Sequence, residues 1–427
     1  MIEVAVLGFG SVCSVMLDYI RLNMEGIAKK TGEPLRVKKI YELGKIPESS
    51  YKQLITTNFH EIIQDSQIKL VIEAIGETES AYELTKLSIS AGKHVVTFNE
   101  ELVAAHGSEL TRLADAHGVQ YRYEACSGLG VPVLQSLSQF LPGNDIHSIS
   151  GILSSSANSV LTIMHQQSLD YNSAFKEFQR KNDTAGKTKE FLCSEVYAVS
   201  QKLAIFSSLV FHTWIDYHQI SVMGISSIAQ VDIESAKTLG YTIKQIAKCV
   251  RNNNHLSAFV CPAMIPLNNP LSRVDGACNA IMLGSRATGD MFFYGQGSGI
   301  IQTVSAIVSD VVDIIMNPDS KKWNGWALAE NQTQVCQFQD KTQFFIRVKC
   351  DDSYEHTERL IERLFSQPLF PNLGIANNRN ELSFFTGYES EKVLLENMKN
   401  LEKALNLLDV EIGTDDVNGI LSVIRVI

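Results

Sequence analysis

MIEVAVLGFGSVCSVMLDYI, residues 1–20, runs an apolar strand, a glycine turn and an amphipathic helix together without a break. Residues 3–7 form the apolar run, and Gly8, Phe9 and Gly10 turn the chain. Val12, Val15, Met16 and Ile20 then recur at helical spacing. Strand, glycine turn, helix is the opening of a parallel α/β sheet, and the two glycines have separate tasks. Gly8 permits the turn, while Gly10 lets the backbone come close to a pyrophosphate at the helix N-terminus. Gly8, Gly10, Ser11 and Val12 are therefore candidate dinucleotide contacts. Cys13 stands where a third glycine would serve close helix–strand packing, a place that a small thiol can fill.

Outward from this turn, strands are expected over 35–41, 69–74 and 94–97, alternating with helices near 61–65 and 81–91, the pattern of a doubly wound Rossmann sheet. Gly76 and Thr97 fall at the ends of two of these strands and join the candidate cofactor contacts. Glu42 ends the second strand. It is either an acceptor for ribose hydroxyls, which leans toward NAD over NADP, or a solvated strand end beside Lys38, Lys39 and Lys45.

From residue 120 the texture changes. A strand over 120–125 leads to Gly128, Gly130 and Pro132; a strand at 148–153 and a helix at 158–164 follow, then a helical centre over 174–211. FYGQGSG (293–299) supplies Gly295 and Gly299 as further cofactor-side candidates, ahead of an apolar helix over 303–316 and a polar linker over 319–333. The last hundred residues read as strand 343–348, helix 355–365, strands 374–376 and 381–387, helix 391–407 and strand 420–426, a βαββαβ order. The expected organisation is a dinucleotide-binding domain (1–125), an α+β substrate and dimerisation domain (126–300), a returning helix with linker (301–333) and a regulatory tail (334–427).

Bulk properties narrow the partners. A net charge of -10 with no clustered Lys and Arg argues against nucleic acid. Eight scattered cysteines without a CxxC argue against a zinc site or disulfide framework and for a reducing, cytoplasmic setting. No apolar run approaches the roughly 20 residues of a membrane span, and a strand beginning at once leaves no room for a leader.

VIEAIGETE (71–79), GKHVVTFNEELVA (92–104), YEACSGLGVP (123–132), GILSSSANSVLTIM (151–164), residues 222–244, NPLSRVDGACNA (269–280) and FYGQGSGIIQTVSAIVSD (293–310) follow one another in fixed order. Together they resemble the homoserine dehydrogenase family over essentially the full length, including an ACT-type tail. The resemblance implies NAD or NADP as cofactor and reversible interconversion of L-aspartate 4-semialdehyde and L-homoserine, a step toward threonine and methionine. It places Lys202, in SQKLAIF, as the proton donor, Asn99 and Glu100 at the nicotinamide edge, and Lys187, Glu195, Ser154 and Ser156 around an amino-acid substrate. Backbone oxygens of Glu124, Ser127, Leu129 and Val131 are implied as ligands of sodium or potassium, and a homodimer or higher homo-oligomer is implied as the assembly.

The chain departs from the family pattern by charge. Glu100 stands where the family carries a lysine, Lys187 near a substrate-binding glutamate, and Ala198 in place of the acid one helical turn before Lys202, which removes that lysine's expected partner. A carboxylate cannot stabilise a developing alkoxide unless protonated. Sign reversals are less expected from plain decay than neutral replacements. Two rivals follow: a dehydrogenase for another carbonyl or alcohol, and a non-catalytic dinucleotide or amino-acid sensor.

Overall fold

A computed structural model describes residues 2–44, 50–141, 143–181, 189–252, 255–297, 299–320, 335, 341–350, 354–371, 381–404 and 420–427, with the backbone alone at 139–140 and 189–194. The chain forms two compact units, Met1–Ile149 with Ser200–Gln219 and Leu283–Thr333, and Ser150–Val199 with Ile220–Met282 and Gln334–Ile427.

The first unit carries strands β1 (Ile2–Leu7), β2 (Leu35–Tyr41), β3 (Ile55–Thr56), β4 (Ile68–Glu73), β5 (His94–Thr97) and β6 (Tyr121–Arg122). They pair in the order β3-β2-β1-β4-β5-β6, every pairing parallel. The order reverses between β1 and β4. In open parallel sheets, ligands bind outside the carboxyl ends of the strands at such a switch point. Helix Ser11–Leu22 packs Cys13, Met16, Leu17 and Ile20 against Val4, Val6 and Ile72, and the same core holds Val304, Ile307 and Val311 of helix Ile300–Met316.

The strand expected over 120–125 is shorter, Tyr121–Arg122 alone. After Arg122 the chain tightens into a 3₁₀ turn, Glu124–Ser127. The cause is the buried Glu124 carboxylate, which accepts from the backbone N–H groups of Val133, Leu134 and Gln135 at 2.7, 3.0 and 2.7 Å and so folds the chain back on itself. Three backbone donors converge on this one side chain, and the chain turns to bring them there.

β7 (Ile146–Ile152), β8 (Ser221–Val222), β9 (Tyr241–Asn252), β10 (His255–Pro266), β11 (Cys278–Ser285), β12 (Gly289–Gln296), β13 (Lys341–Lys349), β14 (Glu381–Phe385), β15 (Glu389–Ser390) and β16 (Ile420–Val426) complete the strands among the described residues. The sheet of the second unit runs β11-β7-β9-β10-β16-β13-β14. β9 and β10 form a long antiparallel hairpin, and helices Ser155–Gln167 and Tyr171–Lys181 pack Val160, Met164, Phe175 and Phe178 into a core that also takes Phe345, Phe385 and Ile424.

Helices Tyr354–Leu364 and Glu391–Ala404 cover strands of the C-terminal part; the strand expected at 374–376 lies outside the described residues. β16 pairs antiparallel with β13 and parallel with β10, where Ala263 and Met264 face Arg425 and Val426. A buried ion pair reinforces the seam. Asp232, with no exposed surface, accepts from Nε and Nη2 of Arg347 at 3.0 and 3.3 Å, from the Ser422 hydroxyl at 2.7 Å and from the backbone N–H of Ala229 at 2.9 Å.

Candidate active site

The glycine turn has the geometry its sequence implies. Gly8 sits at φ +98°, and a Cβ there would lie 2.5 Å from the Ala74 carbonyl oxygen, so only glycine fits. A Cβ at Gly10 would meet nothing within 4 Å, and the same holds at Gly76, so both backbones face open space. Gly10 caps helix Ser11–Leu22 without a side-chain hydrogen bond, and the first turn carries no acid. Ser11 and Val12 therefore present a helix N-terminus suited to an anion. Cys13 is buried in the core and its thiol is pushed up to about 12, first by burial and then by the charge of Glu42, so it is a packing residue and no nucleophile.

Glu42 reaches back across the turn. Its carboxylate accepts from the backbone N–H of Phe9 at 2.8 Å and from that of Gly44 at 2.6 Å. An acid therefore stands beside the glycine loop, at the end of β2.

The ends of β4 and β5 are bound together by side chains. Thr97 lies opposite Glu73 in the parallel register and donates its hydroxyl to the Glu73 carboxylate at 2.5 Å. That same hydroxyl accepts from the backbone N–H of Asn99 at 3.0 Å. Asn99 then caps helix Glu100–Ala116, accepting from Leu102 N–H at 3.0 Å and donating its amide to the Ile75 carbonyl at 3.2 Å. The residue expected at the nicotinamide edge is the one that caps this helix.

Glu100 opens that helix, and its Oε1 lies 3.1 Å from the Lys202 ammonium, with the side chains 23% and 7% exposed. The ammonium also crowds Gly128, where a Cβ would lie 2.9 Å from Nζ. Glu100 stands as an acid beside Lys202, whereas Ala198, one helical turn before that lysine, brings no charge. Sequence reading registers the acid at position 100 as a loss; the fold pairs it with Lys202.

In the second unit, Ser154 and Ser156 meet Glu195. Their hydroxyls donate to the two carboxylate oxygens at 2.8 and 2.9 Å, and the Ser154 oxygen also accepts from Ala157 N–H to cap helix Ser155–Gln167. The carboxylate is held on both oxygens and keeps lone pairs for a cationic group. Lys187 lies outside the described residues.

Around the 3₁₀ turn, Ser127 accepts from Leu129 N–H at 3.2 Å, and its hydroxyl lies 3.4 Å from the Leu129 carbonyl oxygen. Gly130 N–H donates to the Gln296 carbonyl at 3.1 Å, and Gly295 approaches Val131 so closely that a Cβ would lie 3.3 Å from it, which binds the 128–131 loop to the Gly295 segment. Gly299 caps helix Ile300–Met316.

Two buried acids escape a reading by motif. Glu73 is fully enclosed and its carboxyl is pushed up to about 7 by burial, against the opposing hydrogen bonds of Thr97 and Ile75. Asp310 accepts from Glu124 N–H at 2.8 Å and is raised by burial, as is Glu124, whose rise the charge of Asp310 increases. A signal for each exists. Glu73 ends an otherwise apolar run, and Asp310 falls in helical register between the buried positions Ile307, Val311 and Ile314.

Comparisons with known proteins agree with this geometry. Residues 8–124 match the homoserine dehydrogenase NAD-binding domain and residues 132–312 match homoserine dehydrogenase. The chain is 33% identical to the homoserine dehydrogenase of Corynebacterium glutamicum over 324 residues, covering 74% of this chain and 72% of that one. To that of Lactococcus lactis it is 29% identical over 377 residues, covering 86% and 87%. The crystal structure of a homoserine dehydrogenase from Thiobacillus denitrificans superposes with a TM-score of 0.84 at 26% identity, covering 100% of this chain and 98% of that one. A Rossmann order with a glycine turn that only glycine can make, a lysine enclosed at the sheet's carboxyl edge and two matched family domains lead to one assignment: the chain belongs to the homoserine dehydrogenase family of NAD(P)-dependent oxidoreductases.

Proposed function

We propose that this chain interconverts L-aspartate 4-semialdehyde and L-homoserine, with Lys202 as the group that gives and takes the proton at the reacting oxygen. The bound nicotinamide supplies or accepts the hydride. As hydride reaches the carbonyl carbon, negative charge grows on oxygen, and a nearby ammonium both stabilises it and protonates it to the alcohol. Lys202 then regains a proton from solvent. The observation that carries this reading is the enclosure of the Lys202 ammonium, anchored by Glu100 at the helix that follows β5. Glu100 takes the anchoring role and does not itself face the alkoxide as a donor.

The Glu195 carboxylate, held by Ser154 and Ser156, suits the substrate's ammonium group, and Lys187 its carboxylate. The glycine turn, Gly76, Thr97, Gly295 and Gly299 suit the dinucleotide, and Glu42 disfavours a 2′-phosphate by like charge, which supports NAD over NADP. The main-chain oxygens of Glu124, Ser127, Leu129 and Val131 are our candidates for a sodium or potassium ion, held by carbonyls and so indifferent to side-chain identity. A homodimer in a cytoplasmic setting completes the reading, the setting alone being supported by thiols that form no disulfide among the described residues.

Purified protein mixed with homoserine and NAD⁺ or NADP⁺ at mildly alkaline pH, followed by reduced-nicotinamide absorbance, tests the proposal. Lys202→Met should lower kcat by about 10² to 10⁴ while cofactor still binds. Undiminished turnover removes Lys202 from the mechanism. The sign reversal at Glu100 favours, as a second reading, a different carbonyl substrate. A Glu100→Lys, Ala198→Asp double variant that gains homoserine oxidation absent from the native chain would establish it.

A further inference from the structure

We propose that Glu73 is a positioning residue: one buried carboxyl fastens the two turns that face the cofactor and, through Thr97 and Asn99, sets where Glu100 holds Lys202. The last clause rests on the Lys202 reading above; the clamp on the cofactor-facing turns does not.

The geometry is a continuous chain of hydrogen bonds within one unit. One Glu73 oxygen accepts from the backbone N–H of Ile75 at 2.6 Å, which fixes the turn leading to Gly76. The other accepts the Thr97 hydroxyl at 2.5 Å. Thr97 cannot point elsewhere, because its remaining lone pairs receive Asn99 N–H at 3.0 Å. Asn99 closes the circuit by donating to the Ile75 carbonyl at 3.2 Å, back on the turn where the chain began, and by capping the helix that Glu100 opens.

Two of these bonds, Thr97 to Glu73 and Asn99 to Ile75, cross between the ends of β4 and β5, two neighbouring parallel strands whose carboxyl ends border the cofactor site, and those from the Ile75 and Asn99 N–H groups fix the turn at each end. Backbone pairing alone leaves such ends free to fray. A carboxylate with no exposed surface is costly unless something specific requires it, and an alanine or valine would fill this apolar strand end more cheaply. The acid accepts at two oxygens at once, which is what fastening two turns requires and what no apolar residue provides. Placement errors of about 1 Å at a reacting group cost on the order of 100-fold in rate, so a clamp remote from the chemistry still acts on it.

The test uses the full chain with Glu73→Ala, Glu73→Gln, Thr97→Val and Thr97→Ser. Three quantities are measured for each: the dissociation constants of NADH and NADPH by fluorescence, kcat with KM for homoserine, and the thermal midpoint. Glu73→Ala and Thr97→Val should weaken the better-bound dinucleotide about 10-fold and lower kcat about 100-fold with KM for homoserine nearly unchanged. Thr97→Ser, which keeps the hydroxyl, should restore both, and Glu73→Gln, which keeps one acceptor, should fall between. Dinucleotide affinity and kcat unchanged in Glu73→Ala, whatever happens to the thermal midpoint, overturn the proposal, as does failure of Thr97→Ser to recover. Dinucleotide affinity is read without turnover, so a native chain inactive on homoserine would sink the proposed reaction and leave the clamp to be judged on binding.

Discussion

Replacing Glu100 by Gln keeps the size of the side chain and removes its charge, which isolates the pair it forms with Lys202. At 3.1 Å and an effective dielectric near 20 the bare attraction is about 5 kcal/mol. Glu100 is 23% exposed, so water screens part of this; Lys202, at 7%, is enclosed and has little water to fall back on. The pair lies between the exposed case, worth up to about 1 kcal/mol, and the buried one, where losing a partner costs about 3–5 kcal/mol. A loss of about 2–4 kcal/mol is expected for Glu100→Gln. Urea unfolding of Glu100→Gln, Lys202→Met and the double variant closes a double-mutant cycle, and the coupling should be about 2–3 kcal/mol with the double variant more stable than the two single losses add up to. A coupling below about 0.5 kcal/mol would show that the two charges do not act on each other, and with it would go the claim that Glu100 anchors Lys202.

Arg347→Met removes two of the four hydrogen bonds on the fully buried Asp232 and should cost about 3–5 kcal/mol in urea unfolding, with Asp232→Asn in the same background recovering part of it; a loss under 1 kcal/mol would refute the seam. Glu73, pushed up to about 7 from an ordinary 4.5, makes its full contribution to stability below about pH 4.5 and loses it as pH rises through 7. Its share of the fall is about 3 kcal/mol, and Glu73→Gln should flatten the stability curve between pH 5 and 8 by that amount; an unchanged slope would mean that the carboxyl titrates as an ordinary exposed acid.

What could be read from the sequence was whatever local physics enforces. Gly8 and Gly10 follow a buried strand, and both the turn and the open approach to it depend on residues a few positions apart. The alternation of strand and helix through residue 97 likewise predicts a parallel sheet, because each element shows its own periodicity. Tyr121 and Arg122 mark the failure of that rule: tyrosines continue to alternate with polar residues in strand fashion, but Glu124 finds three backbone donors ahead of it in the chain and ends the strand. Glu100 and Lys202 each stand out in the sequence as candidates, whereas their meeting does not, since nothing in either segment encodes the distance between them. Glu73 was hidden by its company, an acid at the end of a run that reads as core.

β16, the final strand, lies inside its sheet, between β10 and β13, and not at an edge. β10 and β13 are neighbours in this sheet only by way of β16, so residues 420–426 splice a hairpin to the C-terminal strands. Deleting them would open two strand edges at once, one along Ala263 and Met264 and one along β13, each a template for strand addition by other chains.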